Sequence, residues 1–180
     1  MNLPHFFSRT RHLVALTALL FASGCATLDH SAPTASLDRA ASWVILPVAN
    51  QADTPQAGLR LETLLDNHLR SRGVQTLQHY PASMEPSLLL DPSERTGREQ
   101  AIQWAKTQGA RYGVTGTVSE WRYKTGVDGE PVVGISLQIV HIDDGKIVYS
   151  ASGAKSGWSR EALSAVAQKL TRELLAPAGL

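Results

Sequence analysis

Between Ala110 and Lys155 apolar residues recur at every second position, and two Asp-Gly dipeptides, Asp128-Gly129 and Asp144-Gly145, interrupt the pattern. A period of two puts alternate side chains on opposite faces of an extended chain, and Asp-Gly supplies the positive-φ geometry of a tight hairpin. The tract therefore predicts a three-stranded antiparallel meander. Its first strand, Ala110 to Tyr123, sets Tyr112, Val114, Gly116 and Val118 on one face and Thr115, Thr117, Ser119 and Trp121 on the other. The second alternates Val133, Ile135, Leu137 and Ile139 with Gly134, Ser136 and Gln138, and the third runs from Lys146 to Lys155.

Upstream, Trp43-Val44-Ile45-Leu46-Pro47-Val48 is a continuous apolar run, the pattern of a central strand covered on both faces, with Pro47 expected at its exit. Thr54-Pro55 offers a helix N-cap and a first-turn proline, Leu61, Leu64, Leu65 and Leu69 follow at helical spacing, and Gly73 stops the helix. Val74 to Tyr80 reads as a second strand and Pro81 to Pro92 as a loop, in which Leu88-Leu89-Leu90 either tucks under the loop or meets a neighbour. Thr96-x-x-Glu99 is a capping box opening a helix with Ala101, Ile102 and Ala105 on one stripe, Trp104 off it, and Gly109 at its end. Ser159 is expected to cap a final helix whose buried stripe is Leu163, Val166, Ala167, Leu170 and Leu174. The order βαβαβββα gives a single α/β domain over 42–177: a mixed sheet with a C-terminal antiparallel meander, and three helices.

The N-terminus follows a different logic. Arg9 and Arg11 flank an apolar run from Leu13 to Ala22 that ends in Ala22-Ser23-Gly24-Cys25. About ten residues cannot cross a hydrocarbon core that needs roughly 20, so residues 1–24 read as a cleaved signal peptide. Small residues directly before a cysteine resemble the bacterial lipobox, although Ala22 stands where Leu is commoner; the alternative is an ordinary secretory signal. Cys25 is the only cysteine, which excludes an intramolecular disulfide or a multi-thiol metal site. We expect a diacylglyceryl group and an N-acyl chain on Cys25, each buried CH₂ contributing about 0.8 kcal/mol to anchoring. Ala26 in place of Asp resembles the signal for the outer membrane, and residues 25–41 read as the lipidated cysteine and a flexible tether.

Cleavage before Cys25 removes Arg9 and Arg11 from the 17 basic residues and none of the 16 acidic ones, leaving a net charge of −1. That balance argues against nucleic acid as a partner. His68, His79 and His141 are scattered with no ligand spacing, no serine lies in a Gly-x-Ser-x-Gly elbow, and Asp143-Asp144 precedes Gly145 as turn residues do. Gly109, Gly113 and Gly116 lie on or beside a strand, where they permit close packing rather than cradling phosphate. We therefore expect no catalytic site, no metal and no cofactor beyond the lipid. The aromatic set Trp121, Tyr123 and Trp158 stands near strand ends, where Trp and Tyr favour membrane interfaces and protein contacts. Trp121 fits a core edge equally well, whereas Trp158 lies among residues too small and polar to bury an indole.

The strand Trp43 to Val48, the segment Glu120-Trp121-Arg122-Tyr123-Lys124 and the tract Gly153 to Gln168 together resemble the PelC family, lipoproteins of Pel exopolysaccharide export. The most specific part is Ser156-Gly157-Trp158-Ser159-Arg160-Glu161. Broader relatives resemble the N-terminal domain of TolB, CsgG and LpoB, which share a fold but not one function. The resemblance implies a homo-oligomer, a dodecameric ring at the outer membrane around the periplasmic approach to the export porin PelB, with Trp158 as a belt residue in contact with lipid. Pel is cationic, so an acidic ring face would concentrate it. Two other functions compete. An LpoB-like activator of a cell-wall synthase needs a longer tether than about 15 residues. A CsgG-like pore needs transmembrane strands of about 9–11 residues, and residues 110–142 supply one hairpin at most.

Overall fold

The computed structural model describes residues 26–31, 36–81, 94–126 and 129–180. Cys25, Leu88 to Leu90 and Asp128 lie outside the described residues. The strands are β1 (Ala26–His30), β2 (Trp43–Asn50), β3 (Leu77–His79), β4 (Tyr112–Tyr123), β5 (Pro131–His141) and β6 (Ile147–Ser156), and the helices are α1 (Ala57–Ser71), α2 (Glu94–Thr107) and α3 (Leu163–Leu175). They build one mixed sheet in the order β1-β6-β5-β4-β2-β3. β2 runs parallel to β3 and β4, and β4, β5 and β6 form the expected meander.

The alternation of the meander becomes burial. Val114, Val118, Val133, Ile135, Leu137 and Ile139 pack with Leu61, Leu65 and Leu69 of α1 and Val166, Leu170 and Leu174 of α3 in the main core. Each such side chain removed from water contributes about 1.5–3 kcal/mol. On the opposite face α2 lays Ala101 and Ala105 against Val44, Leu46 and Ile142, and among the described residues it covers that face only in part. Trp104, off that stripe, meets Tyr80 edge-on at 5.4 Å.

Both long helices stop as their glycines require. Gly73 takes φ 93° and Gly109 φ 66°. In each case the glycine amide and the one after it turn back to the last helical carbonyls, Gly73 to Arg70 and Val74 to Leu69, Gly109 to Lys106 and Ala110 to Ala105.

Several local expectations are corrected. Pro47 does not end β2. The strand continues to Asn50 through a register shift between Ile45 and Val48, where a residue without an N–H is tolerated. The irregular backbone there is satisfied by side chains, since Val48 N–H donates to Glu62 at 2.9 Å and the Thr115 hydroxyl to the Pro47 carbonyl at 2.7 Å. Thr54 does not cap α1; Gln56 holds that position and the Thr54 hydroxyl donates to the Trp121 carbonyl. The second strand is shorter than Val74 to Tyr80, and α2 begins at Glu94, before Thr96. Ala162, not Ser159, is the N-cap residue of α3.

Two differences matter for function. A register shift between Val118 and Glu120 inserts one residue in β4, so the parity of the strand flips and Trp121 joins Val114 and Val118 in the main core. The start of the expected tether is also not free chain, because Ala26–His30 pairs antiparallel with β6.

Candidate membrane-facing end of the sheet

Register gathers the expected residues at one end of the sheet. Ala26 pairs with Lys155, Val132 with Ser156, and Tyr123 with Pro131. The chain leaves β6 there through Gly157 and Trp158 before entering α3, and Cys25 is one peptide bond from Ala26.

Trp158 is 60 % exposed. Its indole is presented by a turn fixed on both sides. Glu161 N–H donates to the Trp158 carbonyl at 2.8 Å, and Trp158 N–H donates to the Glu161 carboxylate at 3.3 Å. That carboxylate also accepts from Lys169, and this ammonium is the main reason its proton affinity is lowered. Gly157 makes the turn possible by close approach: a Cβ there would lie 2.5 Å from Val166 Cγ2 and 2.6 Å from Glu161 Oε2. Its amide bonds the Pro131 carbonyl at 2.9 Å, which ties the turn to β5.

Tyr123 is half-exposed, and its hydroxyl accepts the Leu163 amide at 3.1 Å, satisfying one of the orphan donors at the start of α3. Trp121 is 3 % exposed, so its place in an interface belt is withdrawn; the added residue in β4 turns it into the core. Of the three aromatics, two remain available to a partner. Glu161 and Lys169 were not anticipated, although Trp158-x-x-Glu161 has the spacing of a reciprocal cap.

Three cations at this end are paired. Lys155 meets Glu173 at 2.6 Å, Lys124 meets Glu130 at 3.0 Å and Arg122 meets Glu120 at 2.6 Å. On the sheet face away from α1 and α3, an open groove is lined by Thr27, Asp29, Glu120, Gly134, Ser136 and Ser152.

The histidines go to separate partners. His79 bonds Asp66 at 2.9 Å, His141 bonds Asp144 at 3.1 Å, and His68 lies against Arg72 and Arg172. Among the described residues no three His, Cys, Asp or Glu gather as a metal site would require. Among them, too, no helix is long and apolar enough to cross a membrane.

No family model and no curated protein matches this sequence. Solved structures do. The lipoprotein GNA1162 of Neisseria meningitidis shares the fold at 16 % identity and a TM-score of 0.52, over 76 % of this chain and 96 % of that one. The class is thus a small α/β domain with a mixed sheet, of a kind that recurs in at least one lipoprotein. The PelC dodecamer of Paraburkholderia phytofirmans aligns at 36 % identity with a TM-score of 0.73, covering 86 % of this chain and 98 % of that chain. A methionine variant of that dodecamer gives 37 % identity and the same TM-score over 85 % and 97 %. The chain belongs to the PelC family.

Proposed function

We propose that this protein is a non-enzymatic, lipid-anchored component of Pel exopolysaccharide export, held at the periplasmic face of the outer membrane by acyl groups on Cys25. Copies assemble into a ring, and the ring guides the cationic polymer to the export porin PelB. The observation that carries the reading is 36 % identity across nearly the whole subunit of a PelC dodecamer. An exposed Trp158 at the end where the chain leaves Cys25 supports the membrane orientation. Tyr123 stands beside it as a second ring for the interface. The polar side chains that a catalytic site would draw on are engaged in local pairs such as Asp66–His79 and Asp144–His141.

The competing readings lose support on particular residues. β1 begins at Ala26, which removes most of the slack an LpoB-like activator would use to reach across the periplasm. The apolar residues of β4 and β5 lie beneath α1 and α3, where a CsgG-like pore would need them facing lipid.

The test is the mass of the lipidated protein in detergent together with export by a Trp158→Ala strain. We expect a twelve-subunit particle, as in the relative. We also expect a variant folded like the parent, because exposed substitutions typically shift stability by about 0.5 kcal/mol or less, but defective in secretion. A strict monomer, or normal secretion by the variant, would sink the reading.

A further inference from the structure

The region expected to be a tether begins as a strand, and this changes what the lipid can do. β1 is an outer strand of the sheet, with all five residues exposed, yet it is held along its length. Just beyond it, Ser31 N–H donates to the Ser150 carbonyl at 2.8 Å and the Ser150 amide donates to the Ser31 hydroxyl at 3.0 Å. By the two-residue period of a strand, the amides of Asp29 and Thr27 face β6 as well. Leu28 adds a side-chain clasp: it lies over Gly153, where an added Cβ would come within 2.7 Å of Leu28 Cδ2 and 3.3 Å of Leu170 Cδ1.

We infer that β1 is a rigid anchor strand, which fixes the lipid-bearing Cys25 beside Lys155 so that acyl chains and Trp158 engage the same bilayer surface as one unit. The inference rests on the lipoprotein reading above. A free tether of about 15 residues would let the domain drift up to roughly 50 Å from the membrane. With β1 paired, the slack between lipid and sheet is one peptide bond, about 3.8 Å. Lys155 and Trp158 are separated by Ser156 and Gly157 only, so the indole is tied to the anchor through paired backbone. The occupant of this surface is a lipid bilayer, because the proposed acylation site Cys25 directly precedes β1 and the neighbouring Lys155, Lys124 and Lys169 are each neutralised by a carboxylate. One consequence is orientation. β6 leads back from the membrane, and the C-termini of α1 and α3, bridged by Arg72 and the Arg172 carbonyl, point the same way.

The experiment uses the full lipidated protein in vesicles containing brominated lipid, which quenches tryptophan on contact. Trp158→Phe gives the background from Trp43, Trp104 and Trp121. Asp29→Pro removes an amide facing β6 at an exposed position, and a short Gly-Ser insertion between Ala26 and Thr27 adds slack at the cost of the first strand pair only, leaving Thr27 to His30 paired. We expect the parent to show Trp158-specific quenching. Both variants should stay acylated and membrane-bound, with that quenching lost, and Asp29→Pro should also expose the β1 amides to hydrogen exchange. Quenching that persists in both variants, with β1 released in the first, would overturn the anchor strand while leaving the lipoprotein reading intact. A parent without acyl chains by mass would remove the lipoprotein reading and the inference with it.

Discussion

The two ends of the sheet handle charge in opposite ways. At the end where β1 starts and β6 finishes, Lys155, Lys124 and Arg122 are each matched to a carboxylate, and the rings of Tyr123 and Trp158 are exposed. At the other end α1 and α3 terminate together, and like charges crowd. The Arg72 guanidinium donates to the His68 carbonyl at 3.4 Å and the Arg172 carbonyl at 3.2 Å, bridging the two helix ends. Burial lowers its proton affinity, and Arg172 and Arg39 lower it further. Crowded positive charge is tolerable where water and helix C-terminal dipoles screen it, whereas an end that approaches lipid gains from being neutral overall. On the reading proposed above, the difference would suit one end to a bilayer and the other to solvent.

Gly157→Ala should break this contrast most severely, because it attacks the turn that presents Trp158. The added methyl meets Val166 Cγ2 at 2.5 Å, and Val166 is fully buried on α3 with no room to retreat. Overpacking of this kind costs about 1–3 kcal/mol. At roughly 2–4 °C per kcal/mol for a domain of this size, thermal denaturation should show a fall of several degrees, with altered Trp158 emission. A variant as stable as the parent would mean that the turn can move, and that Trp158 is not held where we place it.

Arg72→Met tests the opposite end and should do less. It removes the bridge between helix termini but keeps an apolar stem, so we expect a loss of about 1 kcal/mol. It also makes a prediction about His68, whose proton affinity is lowered first by burial and then by Arg72 and Arg172. In the parent, His68 stays neutral as pH falls through the ordinary histidine range while the unfolded chain takes up a proton there, so stability declines from that range downward until the folded His68 is itself protonated. With Arg72 gone, its titration by NMR should move up toward the ordinary value without reaching it, since burial remains. An unmoved His68 would show that the charges at this end are already screened.

The sheet and its three helices were legible because they depend on local signals: the Asp-Gly turns, the glycines at helix ends, and the leucine stripe of α1. What the sequence hid was set by pairing across the fold. The extra residue in β4 exists only opposite β5, so the reversal that buries Trp121 leaves no mark in a period-two count. β1 is Ala-Thr-Leu-Asp-His, a short polar strand that reads as tether until β6 offers it an edge. Ser159 has the chemistry of an N-cap, but the turn before α3 is held instead by Glu161 and Tyr123, two residues whose partners are fixed by tertiary contact. Trp158 was found because its neighbours are too small to hide it, a property that does not depend on distant pairing.

The smallest expected effect is the most specific to the Trp158 end of the sheet. The Glu161 carboxylate has its proton affinity lowered by Lys169 first, and also by the Trp158 amide and by Lys155. A lowered carboxylate pKa contributes stability that is fully present above the ordinary glutamate range, near 4.3, and is lost as pH falls through the folded value. The Trp158 turn should therefore be unchanged from neutral pH down through that range and loosen only in stronger acid. Glu161→Gln should remove this acid transition while shifting global stability by about 0.5 kcal/mol or less, because the Lys169 end of the pair is half-exposed to solvent. Fluorescence anisotropy of Trp158, with Trp158→Phe as background, reads both effects. If the parent and Glu161→Gln loosen at the same pH, then Glu161 is not what holds the indole, and the contrast between the ends would rest on packing at Gly157 alone.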